Sequence, residues 1–189
     1  PLECDNTVER PYISGVEDLN GIEPWTLEIG RPITNWNESS WVIPDSVEDD
    51  GSPDDVLQNH LMALIFSPRL QKTLGRHGIA GIQYLPIQVL RMDGSAIQGF
   101  AIANILNVVP ALNLEKSDYD IFPQDYFAPE NRGKVRGVRK PVLNAEVLEP
   151  YDIIRPKEFN VDFYVSEVFR DLFLASRFTG LSFRQIETV

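Results

Sequence analysis

Apolar residues recur at helical spacing in two places along the chain, and a serine precedes each. After Ser67-Pro68 the leucines Leu70 and Leu74 share one face, which predicts a helix ending near Arg76. After Ser166, the residues Val168, Phe169, Leu172 and Phe173 share one face of a second helix over 166–177. A serine at such a position accepts hydrogen bonds from amides that the first helical turn leaves unpaired. Ser52-Pro53-Asp54-Asp55 carries the same start signal: a serine cap, proline at the first position, acids facing the helix dipole. It predicts a third helix. Alternating or continuous apolar stretches predict strands at Trp25-Thr-Leu-Glu-Ile29, 82–92 with a break at Pro86, 97–109, 141–148, 151–154, 162–165 and 181–186. Asp93-Gly94 predicts a hairpin turn between the second and third of these. Residues 1–23 read as an irregular arm, 113–124 as a polar loop, and 126–140 as loop or linker.

The pattern also echoes itself. Residues 63–87 align without gaps onto 162–186. Ser67 matches Ser166, Leu70 matches Phe169, Leu74 matches Phe173, Gly81 matches Gly180 and Tyr84 matches Phe183. Each copy reads as strand, serine cap, amphipathic helix, glycine turn, strand. The predicted fold class is therefore α+β: antiparallel sheets with two or three short helices packed on one face, and two similar strand–helix–strand units. No linker-like segment divides the chain, so residues 1–189 read as one domain, with a portion 1–60 and a body 61–189.

Charge separates those two portions. The 189 residues carry a formal net charge of -11. Residues 1–60 sum to -12 and residues 61–189 to +1. An acidic chain is repelled by nucleic-acid backbones and anionic membrane surfaces, so neither is an expected partner. The acidic excess suits capture of a basic protein surface by electrostatic steering, or simple solubility. The candidate partner-binding residues are the densest acids, Asp45, Glu48, Asp49, Asp50, Asp54 and Asp55, together with Trp36 and Trp41 as aromatic anchors. A basic cluster follows at Arg132, Lys134, Arg136, Arg139 and Lys140. Cys4 is the lone cysteine, which suits a reducing, cytoplasmic compartment. The longest apolar runs, such as 61–66, are far shorter than the roughly 20 residues a membrane helix needs.

Candidate chemistry adds little. His60 and His77 have no cysteine or acid at zinc-ligand spacing. Asp118-Tyr-Asp120 is a short D-x-D string, and 45–55 lacks the closing glutamate of a calcium loop. No nucleophile elbow, phosphate loop or zinc-protease string occurs. The expectation is a protein without catalytic residues, metal or cofactor.

Three stretches carry a family resemblance. Ser67-Pro-Arg-Leu-Gln-Lys-Thr-Leu74 with Gly81-Ile-Gln-Tyr-Leu-Pro86 is the first. Asn104-Ile-Leu-Asn-Val-Val-Pro-Ala-Leu-Asn113-Leu-Glu-Lys-Ser117 is the second. Val165-Ser-Glu-Val-Phe-Arg-Asp171 with Thr179-Gly-Leu-Ser-Phe183 is the third. In this order and spacing they resemble the "Imm eleven" immunity family of bacterial polymorphic toxin systems, over roughly residues 63–186. Asn113 stands where that family's pattern has an aspartate. The resemblance implies a cytoplasmic antitoxin, not an enzyme. It would bind a cognate toxin, such as a nuclease, delivered by contact-dependent or type VI secretion. It places the N-terminal third outside the shared pattern, where toxin specificity could lie. Two other classes stay open at this point: a small hydrolase that reverses the toxin's effect, and a scaffold domain.

Overall fold

The structure is a computed structural model that describes residues 2–3, 12–16, 24–36, 41–45, 53–57, 63–90 and 95–189. Glu48, Asp49, Asp50, Ser52 and the Asp93-Gly94 turn lie outside the described residues. The strands in the first half of the chain are β1 (Leu2–Glu3), β2 (Tyr12–Val16), β3 (Trp41–Asp45), β4 (Val56–Leu57), β5 (Ile65–Phe66), β6 (Ile82–Pro86) and β7 (Gln88–Leu90). Then come β8 (Ala96–Ile97), β9 (Ala101–Ile105), β10 (Val108–Val109), β11 (Asp118–Ile121) and β12 (Val135–Lys140). The last are β13 (Val142–Leu143), β14 (Ile153–Pro156), β15 (Tyr164–Val165), β16 (Ser182–Phe183) and β17 (Glu187–Thr188). The helices are α1 (Pro68–Arg76) and α2 (Glu167–Ala175).

The centre is an antiparallel sheet in the order β4-β5-β9-β6. All five residues of β9 are buried, so this strand has core on both sides. Its pleat divides the core. Ile102 faces a layer built with Leu27, Ile33, Ile65, Leu85 and Val89. Ala103 and Ile105 face the other layer, where Leu70 and Leu74 of α1 meet Phe169 and Phe173 of α2. Both helices therefore cover the same side of the sheet. A smaller apolar layer around Val109, Leu112, Leu143, Ile154 and Tyr164 extends the core.

Each helix begins as its serine dictates. Ser67 Oγ accepts from Leu70 N at 3.2 Å, and Ser166 Oγ accepts from Phe169 N at 3.1 Å. Gly75 lies in the last turn of α1, exposed, with nothing within 4 Å of where a Cβ would stand. Gly75→Ala is expected to stabilise the protein by about 0.5–1 kcal/mol, because alanine loses less backbone entropy in a helix. A higher urea midpoint at unchanged slope is the readout; a lower midpoint would refute it.

The structure departs from the sequence reading at several points. Residues 25–29 were expected as a strand, but Pro24–Glu28 is a 3-10 helix. Pro24 is preset for the first turn, Leu27 is buried, and Gly30 ends the element at φ 68°. Ser52-Pro53 does not start a helix: Pro53–Asp54 is irregular and Val56–Leu57 is a strand. Tertiary pairing overrides the local signal there, with Val56 N donating to Thr179 O at 3.0 Å. The long strand over 97–109 is three pieces, the first break falling at Gly99, φ 88°. The expected loops at 113–124 and 126–140 contain β11 and β12, which pair with each other. The N-terminal arm holds β1 and β2, which pair with β16 and β3. The sheets are also not purely antiparallel: β3–β7, β10–β14 and β13–β17 run parallel.

Candidate partner interface

The Trp36 side chain and the backbone of Trp41 both lie against the stretch Pro86–Gln88. Gln83 and Asn104 face each other across β6 and β9. Gln83 Oε1 accepts from Ile33 N at 2.9 Å, and Gln83 Nε2 donates to Ile33 O at 2.7 Å. Asn104 Nδ2 donates to Arg31 O at 2.8 Å. These bonds pin residues 31–33 to the sheet and carry Trp36 to its edge. There Trp36 is half-buried, and its Nε1 donates to Pro86 O at 2.7 Å. Trp41 pairs in register with Gln88, two residues further along. A hollow of about 250 Å³, lined by Tyr84, Pro86, Gln88, Gln98 and Phe100 among others, opens beside this stretch. Asp45 lies at the far end of β3, opposite Tyr12 of β2.

The acids divide. Asp54 is half-buried at the entry to β4. Asp55 was expected on the contact face, but it is 3% exposed and belongs to the interior. Its Oδ1 accepts from Ser67 Oγ at 2.6 Å and Arg69 Nε at 2.6 Å. Its Oδ2 accepts from Arg69 Nη2 at 2.5 Å and Thr179 N at 3.0 Å. The reason is a demand for an acceptor: the serine cap, the guanidinium and the amide converge where water does not reach. Asp152 does related work for the second helix, accepting from Ser166 Oγ at 2.6 Å and, through its carbonyl, from Ser166 N at 2.9 Å. Asp55 precedes Ser67 by 12 residues and Asp152 precedes Ser166 by 14. That spacing was the available signal, and a search for exposed acids passes over it.

The Asp118-Tyr-Asp120 string is occupied by a cation. Arg139 donates to both Asp118 oxygens, at 3.0 and 2.5 Å, and to Asp120. Those bonds hold the Asp118 carboxyl below its ordinary range. Among the described residues, no three His, Cys, Asp or Glu side chains are grouped as metal ligands. Buried Arg155 donates to Asn160 O at 2.7 Å and Val161 O at 3.2 Å, while its Nε has no partner. Burial lowers its pKa and raises that of nearby Asp162.

A larger recess of about 850 Å³ opens at the start of α2. Leu148, Tyr151, Ile154, Tyr164, Val168 and Phe183 form its apolar wall, and Glu149, Glu167, Arg170 and Arg184 its charged rim. Sequence reasoning missed it, because its wall is assembled from segments far apart in the chain.

Trp36 is the one of the two tryptophans whose burial the structure describes, half-buried at the sheet edge. Residues 6–188 match the sequence profile of the immunity protein family (Imm11). The match spans nearly the whole chain, and the chain belongs to that family. It takes in most of the first third, which the resemblance over 63–186 had left outside the shared pattern. No curated protein matches the chain. No helix among the described residues is long and apolar enough to cross a membrane.

Proposed function

We propose that this chain binds a cognate bacterial toxin and neutralises it by covering its active site or substrate surface, without chemistry of its own. The observation that carries this reading is the family match over residues 6–188. The acidic first third supplies the face. Its -12 charge accelerates encounter with a basic toxin surface, and a nuclease fits because carboxylates imitate phosphates. Close charge pairs in a nuclease–inhibitor complex are worth about 1.5–7 kcal/mol each. A few such pairs with Trp36 and Trp41 as anchors reach nanomolar affinity. The lone cysteine suits a cytoplasmic setting, where the chain would meet toxin delivered by a neighbouring cell.

The test replaces Glu48, Asp49, Asp50 and Asp54 by their amides. Asp55 is left intact, because it holds the fold. Association is measured with the toxin against which the chain protects cells on co-expression. The rate at low salt is expected to fall about ten-fold or more, with a shallower salt dependence. An unchanged rate and salt slope would remove this face from the interface.

A further inference from the structure

The hairpin formed by β11 and β12 contributes no residue beyond half-buried Val138 to the apolar layers of the core. Its turn nevertheless carries three aromatic rings in a row. Phe122 and Tyr126 have ring centroids 4.6 Å apart, and Tyr126 and Phe127 4.4 Å apart. Phe127 is 83% exposed, more than the other large exposed apolar side chains among the described residues. A phenylalanine held in water adds nothing to folding by burial.

The turn that presents it is ordered. Phe122 N donates to Lys134 O at 2.9 Å and Gly133 N returns to Phe122 O at 3.0 Å, which extends the ladder past the strands. Tyr126 N donates to Pro123 O at 3.1 Å, and Arg132 Nε donates to Tyr126 O at 2.8 Å. Gly133 takes φ 73° to close the loop. An aromatic ring fixed in this way loses little entropy on binding, which is the property of an interface anchor.

Charge is polarised across the hairpin. The outgoing arm, 118–130, holds four acids and no lysine or arginine. The return arm, 131–140, holds Arg132, Lys134, Arg136, Arg139 and Lys140 and no acid. Arg139 occupies Asp118 and Asp120, and Lys140 lies 3.4 Å from Glu187. Arg132, Lys134 and Arg136 follow the ring on the return arm, and Arg132 is bonded to Tyr126 O beside it.

We propose that this hairpin is a second recognition arm, opposite in sign to the acidic first third, and that Phe127 enters an apolar recess rimmed by carboxylates on the toxin. The proposal rests on the reading of this chain as a toxin's immunity partner. A toxin that works by acid–base or metal chemistry carries carboxylates in its cleft, and an aromatic tip backed by a basic return arm complements such a cleft. A second copy of this chain is the weaker occupant, because each copy carries -11 and the two repel.

The experiment uses the full chain and the toxin against which it protects cells on co-expression. Wild type, Phe127→Ala and Phe127→Trp are compared for association, dissociation and urea midpoint, and each is run alone in sedimentation velocity. Phe127→Ala is expected to speed dissociation by about ten- to a hundred-fold, with association changed less than about two-fold. Phe127→Trp is expected to keep slow dissociation, and all three urea midpoints to coincide. Wild-type dissociation in Phe127→Ala overturns the arm while leaving the immunity reading intact. Loss of a self-dimer in Phe127→Ala with toxin binding unchanged overturns it in favour of a second copy. A wild-type chain that does not bind the toxin overturns both readings.

Discussion

Arg69→Ala is expected to lower stability by about 3–5 kcal/mol, the cost of stranding a buried charge. The two partners are unequally buried: the Asp55 side chain is 4% exposed and the Arg69 side chain 56%. Removing the arginine takes two donor bonds from a carboxylate that water then reaches only where the guanidinium stood. Ser67 Oγ and the Thr179 amide still donate to it, which holds the loss toward the lower end of that range. The same substitution removes a bond from Arg69 Nη2 to Arg177 O at 3.0 Å and a guanidinium 4.5 Å above the Phe178 ring. Asp55→Asn is expected to cost less, about 1–3 kcal/mol, because the freed guanidinium can turn to solvent while an amide oxygen keeps one acceptor. The double variant Asp55→Asn with Arg69→Met is then expected to be more stable than Arg69→Ala alone. Urea denaturation of the four proteins decides. A loss below about 1 kcal/mol for Arg69→Ala would show that Asp55 is not the junction between the two helices.

That junction also marks what the sequence could and could not disclose. The serine caps and amphipathic faces of α1 and α2 are local signals, and the structure has both helices within a few residues of where periodicity put them. The break at Pro86 is local too, since proline cannot donate to a ladder. Trp25-Thr-Leu-Glu-Ile29 misleads because period-two alternation over five residues is short enough for Pro24 and Gly30 to override it. β11 and β12 were invisible for a different reason. Their residues are exposed or half-buried throughout, so no hydrophobic period existed to find. The same absence hid Phe127, which follows Tyr126 in a segment without helical or strand periodicity, so nothing in the pattern distinguishes an exposed ring from a buried one. Charge was legible as a total, yet its use was not. Asp54 and Asp55 are adjacent and chemically alike, and the donors that draw Asp55 inward lie 12, 14 and 124 residues away. The interface reading therefore keeps the other acids of the segment and gives up Asp55.

Gly180→Ala is expected to cost more than about 4 kcal/mol and to leave little folded protein at 37 °C. Two effects combine. Gly180 adopts φ 96°, where an L side chain carries a penalty of about 1–3 kcal/mol. A Cβ there would also stand 2.1 Å from the Val56 carbonyl oxygen and 2.9 Å from its carbon. Backbone cannot rotate aside as a side chain can. β4 would have to withdraw, and Val56 N is held by Thr179 O at 3.0 Å while Asp55 takes the Thr179 amide. The clash would thus open the contact that joins the two helix turns. Gly81, at φ 81°, gives a contrasting case: its Cβ would meet the Asn107 side chain at 2.0 Å. Asn107 can swing away, at the cost of its bonds to Ala80 O and Ile153 O. Gly78 is the control. Its φ is 75°, but nothing lies within 4 Å of the new methyl, so Gly78→Ala carries the φ penalty alone, about 1 kcal/mol. The expected order of urea midpoints is wild type, Gly78→Ala, Gly81→Ala, Gly180→Ala. Equal losses at Gly78 and Gly180 would mean that β4 does not approach the turn as closely as 2.1 Å requires, and the account of Asp55 as a buried junction would fall with it.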